Sequence, residues 1–154
     1  MIIIGYPGIG KTTLADWNND YIDVDSSRFI FDGVRPSNWE YHYVKMAEDL
    51  SDQGYNVFVS SHEGVRKNIE FHVGAETPVL VVCPSLELKE QWIERLKHRW
   101  QEDLSHKNYM ALKRAEEHYD EDITDLLNSP FRVIQINSME YELDELLENE
   151  IKDE

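Results

Sequence analysis

The sequence predicts an α/β protein wound around a parallel sheet, and three observations predict it. Short apolar segments alternate with longer stretches that carry helix signals. Several of those segments are nearly continuous runs of β-branched residues, the pattern of strands covered on both faces. The first of them runs directly into a glycine-rich loop with a helical pattern behind it.

Strands are expected at residues 2–5, 21–25, 56–60, 79–83 and 132–136. Ile2-Ile3-Ile4, Val57-Phe58-Val59 and Val79-Leu80-Val81-Val82-Cys83 are the uninterrupted apolar runs. The second strand instead alternates Tyr21, Asp23 and Asp25 with Ile22 and Val24, which suits a sheet edge with one solvated face. The helices are signalled by their caps. Ser37 with Glu40 and Ser60 with Glu63 have capping-box spacing, and Gly54 offers a stop after the first of these helices. Ser85 is placed to cap a long helix through about residue 100, with Leu86, Trp92, Ile93, Leu96 and Trp100 as its apolar stripe. Another helix is expected over about 109–127, and Ser138 is placed to start the last one, through Met139, Leu143, Leu146 and Leu147. This alternation puts ligands beyond the carboxyl ends of the strands.

The loop itself reads Gly5-Tyr6-Pro7-Gly8-Ile9-Gly10-Lys11-Thr12, a full G-x-x-x-x-G-K-[ST] pattern between strand and helix. Its glycines let the backbone curl so that N–H groups, with the helix start behind them, face the phosphates of a nucleoside triphosphate. Gly5, Gly8, Ile9, Gly10, Lys11, Thr12 and Thr13 are therefore the candidate nucleotide-binding residues. Lys11 would reach the β- and γ-phosphates, and the Thr12 hydroxyl would ligate Mg²⁺. ATP and Mg²⁺ are the expected cofactors. His62, His72, His106 and His118 lack paired metal-ligand spacing, so no other metal is expected.

The 154 residues suit a single domain. With a strand expected directly after Met1 no leader is expected, and no stretch has the length of apolar sequence a membrane span needs. Cys83, the one cysteine, sits in an apolar run and reads as a buried thiol, which with the absence of a disulfide framework points to the cytoplasm. The formal net charge of −16 opposes nonspecific nucleic-acid binding. Sixteen of the 31 acidic residues lie from Glu102 onward, so basic residues that cluster elsewhere carry information.

Asp23 and Asp25 point to one side of the second strand. Asp25, nearer the carboxyl end, is the candidate to order a metal-bound water or accept the proton of an attacking hydroxyl, and it also suits a cap for the Ser26-Ser27 turn. Asp23 reads as a supporting or edge residue. Arg28, Arg35 and Arg66 follow the second and third strands, where an acceptor would lie, and their forks suit phosphate recognition. Arg95, Lys97 and Arg99 end the helix after the fourth strand. Arg95 and Arg99, four apart, are candidates to close on the transferring phosphoryl group, although cations also favour a helix C-terminus. Residues 101–108, polar and without period, read as the tip or hinge of a lid.

Gly5-x-Pro7-Gly8-x-Gly10-Lys11-Thr12-Thr13 resembles the phosphate loop of the adenylate-kinase-like family of P-loop nucleoside monophosphate kinases. The likeness is greatest to small phage-encoded (deoxy)nucleotide kinase-like proteins, supported by residues 21–27, 57–63 and 84–89. The resemblance implies the three-layer α/β/α sandwich of P-loop NTPases, with a five-stranded parallel sheet in the order 2-3-1-4-5 and a helical lid. It implies one kinase domain over residues 1–154, with an acceptor-binding insert at about 26–54 and the lid at about 95–115. It also implies nucleotide substrates, and host cytoplasm for a phage-encoded protein. The chain lacks the aspartate-glycine-phenylalanine-proline-arginine element of adenylate kinases, and Val57-Phe58-Val59-Ser60-Ser61 stands where a second-motif aspartate is usual. Asp25-x-x-Arg28 is similar to the pattern of polynucleotide 5′-kinases, whose aspartate is the general base.

The expected function is ATP-dependent phosphoryl transfer to a (deoxy)nucleoside monophosphate. Lys11, Asp25, Arg95 and Arg99 would be its catalytic residues, and Asp25, Arg28, Arg35 and Arg66 would bind the acceptor. Two alternatives stand beside it: a kinase of a hydroxyl acceptor on a polynucleotide end, modified base or small metabolite, and a nucleotide-binding regulator with little turnover.

Overall fold

A computed structural model describes residues 1–30 and 33–152, with only the backbone of Ser27 and Arg28. In chain order the elements are β1 (Ile2–Gly5), α1 (Lys11–Trp17), β2 (Tyr21–Asp23), a 3-10 turn (Ser26–Phe29), α2 (Trp39–Asp52), β3 (Asn56–Ser60) and α3 (Glu63–His72). Then come β4 (Val79–Pro84), a second 3-10 turn (Leu86–Leu88), α4 (Lys89–Glu102), α5 (His106–Leu127), β5 (Arg132–Ile136) and α6 (Leu143–Lys152). The five strands form one all-parallel sheet in the order β2-β3-β1-β4-β5. The expected α/β class and strand order are both observed.

The chain divides into two compact units, residues 1–5 with 11–81 and residues 6–10 with 82–154. In the first unit β1 pairs with β3 and β3 with β2, in a register that sets Gly5 beside Ser60 and Asp23 beside Phe58. Ile2, Ile3 and Ile4 are all fully buried. Successive strand residues face opposite ways, so both faces of β1 are covered, as its unbroken apolar sequence requires. α2 packs on β3 and β1 through Tyr43, Val44 and Ala47. The Tyr43 hydroxyl donates to Val24 O and accepts from Ser60 N, each at 2.9 Å. One buried phenol thus fastens the carboxyl end of β2 to that of β3.

The second unit rests on α4 packed against α5, with Trp92, Leu96, Ala115, Tyr119, Ile123 and Leu126 buried. Ser85 continues β4, its N–H donating to Ile136 O, while its own carbonyl accepts the Tyr119 hydroxyl at 2.7 Å. α5 kinks at His118, and Arg114 and Asp122 form a bidentate pair across that kink, both bonds 2.8 Å.

Several expected helix starts move. Ser37 does not cap α2: Trp39 N–H bonds Pro36 O in a turn, and the helix opens at Trp39 behind Asn38. The Glu40 side chain lies against Gly64 of α3 instead of closing a box. Ser60 stays in β3, and its hydroxyl takes the N–H of His62, so α3 begins at Glu63 without a side-chain cap. Ser85 precedes a 3-10 turn instead of α4. Ser138 makes a turn with Glu140 N–H, and α6 waits until Leu143. The Gly54 stop does form, with φ +99 and its N–H on Ser51 O. Residues 101–108 are not an irregular tip: α4 runs to Glu102, three residues turn, and α5 starts at His106.

Among the described residues no helix is long and apolar enough to cross a membrane. Cys83 is buried, and burial lifts its thiol from 9.0 to about 12. Burial also raises the phenols of Tyr6, Tyr43 and Tyr119 above their ordinary 10.0. Each group holds its proton more tightly folded than unfolded. Their stabilisation is therefore complete below about pH 9 and is lost as pH rises toward about 12. Urea midpoints should stay level through neutral pH and fall steadily above about pH 9, with phenolate absorbance rising in step with unfolding. A midpoint unchanged up to about pH 12 would contradict this assignment.

Candidate functional site

In the first unit the site grows from the end of β1. Gly5 is its last residue, and Lys11 and Thr12 open α1. Lys11 Nζ donates to Gly5 O at 3.2 Å, so the ammonium folds back to where the strand ends. Thr12 Oγ1 donates to Asp23 Oδ2 at 2.9 Å. Asp23 is the final residue of β2, and the β2–β3 register together with the Tyr43 bridge fixes where that strand stops. In the sequence Asp25 is the favoured carboxylate and Asp23 reads as support. The structure sets Asp23 against the Thr12 hydroxyl, while Asp25 falls two residues beyond the strand, ahead of the 3-10 turn. The available signal was the spacing itself, since two carboxylates on one side of a strand differ in reach by two residues.

The acceptor candidates also lie in this unit. Arg35 donates to Ser26 Oγ at 3.3 Å, and its guanidinium lies 4.2 Å from the centroid of Trp39. Arg66, on the first turn of α3, donates through Nε to Ser61 O at 2.9 Å. Both follow the carboxyl end of a strand. Arg28 belongs to the 3-10 turn, and its side chain lies outside the described residues. Thr13 is exposed on α1.

In the second unit the loop residues Tyr6–Gly10 are held by side chains. Trp92 Nε1 donates to Pro7 O at 2.8 Å. Arg95 donates through one guanidinium nitrogen to Gly8 O at 3.2 Å and to the Tyr141 hydroxyl at 2.8 Å. That hydroxyl in turn donates to Ile9 O at 2.8 Å. The guanidinium lies 4.6 Å from the Trp92 ring centroid and 5.4 Å from that of Tyr141. Burial raises the Tyr141 phenol above its ordinary value, and the neighbouring Arg95 charge opposes that rise. Ile9 is itself buried, which anchors the middle of the loop.

Arg95 and Arg99 share α4 but serve different partners. Arg99 donates to Asn108 Oδ1, and the Asn108 amide donates to Arg99 O and Asp103 O. With Ser105 Oγ accepting Asn108 N–H, these bonds close the corner between α4 and α5. Trp92 read in sequence only as core, and Tyr141 had no periodic pattern to mark it. Their contacts depend on how the start of α4 and the segment after β5 meet the loop in space.

The Thr12 hydroxyl and Asp23 carboxylate are hard oxygen donors within hydrogen-bond distance of each other, and they suit a Mg²⁺ that keeps water and phosphate oxygens as its other ligands. Among the described residues no cluster of three or more His, Cys, Asp or Glu forms an all-protein metal cage. No protein-family model matches this chain, and no curated protein matches it significantly.

Gly8 is the tightest point of the loop. Its φ is +92, and a Cβ there would sit 3.1 Å from both Trp92 Nε1 and Leu96 Cδ2. Gly54 has a similar φ of +99 but open space around it. Gly54→Ala should therefore cost only the left-handed backbone penalty, roughly 1–2 kcal/mol. Gly8→Ala should cost more, because it also pushes Trp92 off Pro7. Urea denaturation of both variants checks the order, and equal losses would show that the loop yields freely.

Proposed function

We propose that this chain is a Mg-ATP-dependent phosphotransferase acting on a (deoxy)nucleoside monophosphate. The observation that carries the reading is the Thr12–Asp23 contact, 2.9 Å, directly behind a complete G-x-x-x-x-G-K-T loop. A hydroxyl and a carboxylate at that point would hold Mg²⁺, which supplies charge neutralisation between the β- and γ-phosphates. Lys11 would add the second positive charge there, and the N–H groups of Gly8, Ile9 and Gly10 would bind phosphate oxygens. Arg35 and Arg66 would take the acceptor phosphate, with Arg28 as a third candidate. Asp25 would orient the acceptor. A monophosphate is largely deprotonated at neutral pH, its second pKa being about 6, so its oxygen can attack without a general base.

A second reading rests on Asp25, which follows the strand end where a base for a hydroxyl acceptor would be needed. Activity toward a polynucleotide end would fall steeply with salt, with a log–log slope of roughly −0.7 per contacted phosphate, whereas a free nucleotide acceptor gives a shallow slope.

Incubation with Mg-ATP and separate monophosphates, nucleosides and 5′-hydroxyl oligonucleotides, followed by ADP release, tests both readings. Lys11→Ala should lower phosphoryl transfer about 10²–10³-fold with the fold retained. Asp23→Asn should raise the Mg²⁺ concentration needed for half-maximal rate by about 10–100-fold. Undiminished turnover in Lys11→Ala would refute the kinase reading. Binding of ATP without turnover on any acceptor would leave a nucleotide-binding regulator.

A further inference from the structure

Three consecutive carbonyls of the glycine loop, those of Pro7, Gly8 and Ile9, are each engaged by a side-chain donor of the second unit. The donors are Trp92 at 2.8 Å, Arg95 at 3.2 Å and Tyr141 at 2.8 Å. In a planar trans peptide the carbonyl of one residue and the N–H of the next point in opposite directions. Fixing those three carbonyls on one side therefore fixes the N–H groups of Gly8, Ile9 and Gly10 on the other. The three donors are also linked to one another. Arg95 donates to Tyr141, which passes its own proton to Ile9 O, and the guanidinium rests against the Trp92 and Tyr141 rings.

We infer that Trp92, Arg95 and Tyr141 are positioning residues that clamp the loop from its carbonyl side and aim three successive amides at a phosphate. This inference rests on the nucleotide reading above for its consequence, but the clamp itself is a property of the free chain. It changes the role expected of Arg95. In the sequence that arginine suits a lid group that would touch the transferring phosphoryl. In the fold it lies on the carbonyl side of the Gly8–Ile9 peptide, opposite the amide that would meet a phosphate. Its influence on an anion is then indirect. A charge-assisted bond to Gly8 O polarises that peptide and makes Ile9 N–H a stronger donor. A preorganised donor set also avoids the ordering cost that a loose loop would incur on binding.

A lid arginine and a clamp arginine leave different kinetic traces. A group that meets charge only in the transition state lowers kcat when removed. A group that shapes the loop in the free chain weakens nucleotide binding throughout, so KM rises and kcat holds. ATP and ADP should suffer alike.

The test uses the full chain. Backbone order parameters at Gly8, Ile9 and Gly10 are read by nitrogen relaxation without nucleotide in wild type, Arg95→Ala, Arg95→Lys and Tyr141→Phe. Dissociation constants for Mg-ATP and Mg-ADP, and kcat and KM, are measured on the same proteins. Arg95→Ala and Tyr141→Phe should lower order at those amides and weaken both nucleotides roughly three- to tenfold. Arg95→Lys should recover part of the loss, since an ammonium can still donate to Gly8 O. Tyr141→Phe removes a single O–H and keeps the ring, so it remains informative even if Arg95→Ala does not fold. Wild-type order in every variant that folds overturns the clamp, and so does a fall in kcat with nucleotide affinity intact. If order falls in the variants and wild type binds no nucleotide, the phosphotransferase reading is the one that fails, and the clamp stands as the device that sets the loop.

Discussion

A peptide unit that offers its N–H to one side must offer its carbonyl to the other, and the loop between β1 and α1 is where this constraint governs the chain. Buried carbonyls need donors as surely as buried amides need acceptors. Tyr6 N–H still pairs with Val82 O of β4, but beyond it the loop curls away from the strands, so side chains serve its next three carbonyls. An indole, a guanidinium and a phenol do so, each combining a polar tip with a flat body that packs. The cost appears nearby in the sequence. Gly8 has no room for a side chain because Trp92 and Leu96 approach within 3.1 Å of where its Cβ would be. Tyr141 sits in the stretch before α6, which starts only at Leu143 even though Ser138 could have begun a helix sooner.

In the first unit the same accounting falls to strand ends. β1 is buried along its whole length, so its pairing with β3 has no freedom to slip without moving apolar side chains into solvent. The register brings Gly5 level with Ser60. Tyr43 then donates to Val24 O, one residue past β2, and accepts from the amide of Ser60. Its hydroxyl acts as one more rung where the β2–β3 ladder stops. With that rung in place β2 ends at Asp23, and the carboxylate meets Thr12.

Much of this fold was legible in the sequence. Strands β1 and β3 begin and end where the apolar pattern places them, because a buried strand must be apolar along its length and the turn residues beside it are not, and β5 keeps its expected bounds with only Ile134 and Ile136 buried. The glycine loop and its flanking elements were equally plain. The capping residues misled for one reason. Ser37, Ser60 and Ser138 have the chemistry of a cap, but each hydroxyl or backbone had a nearer commitment: a turn at Pro36, a place in β3, a turn at Glu140. Local chemistry states what a residue can do, and the tertiary structure decides among the possibilities. Where the candidate site residues lie was legible to the same degree. Lys11 and Thr12 follow from the motif, whereas Asp23 against Asp25 turns on where a strand stops. Trp92 and Tyr141 act by contacts between residues 85 and 132 positions apart, for which periodicity carries no signal.

The charges separate into two populations once the contacts are known. Lys45, Lys67, Lys89, Lys113, Arg114 and Arg132 pair with carboxylates, several of them one helical turn away. Such exposed pairs contribute about 0–1 kcal/mol each and place few demands on the fold. Arg35, Arg66 and Arg95 behave differently: the bonds described for them go to the neutral oxygens of Ser26, Ser61, Gly8 and Tyr141. In a chain with 31 acidic and 15 basic residues, a carboxylate partner is the easier one to find. A neutral acceptor orients a guanidinium without cancelling its charge, and the field it projects remains for an incoming anion.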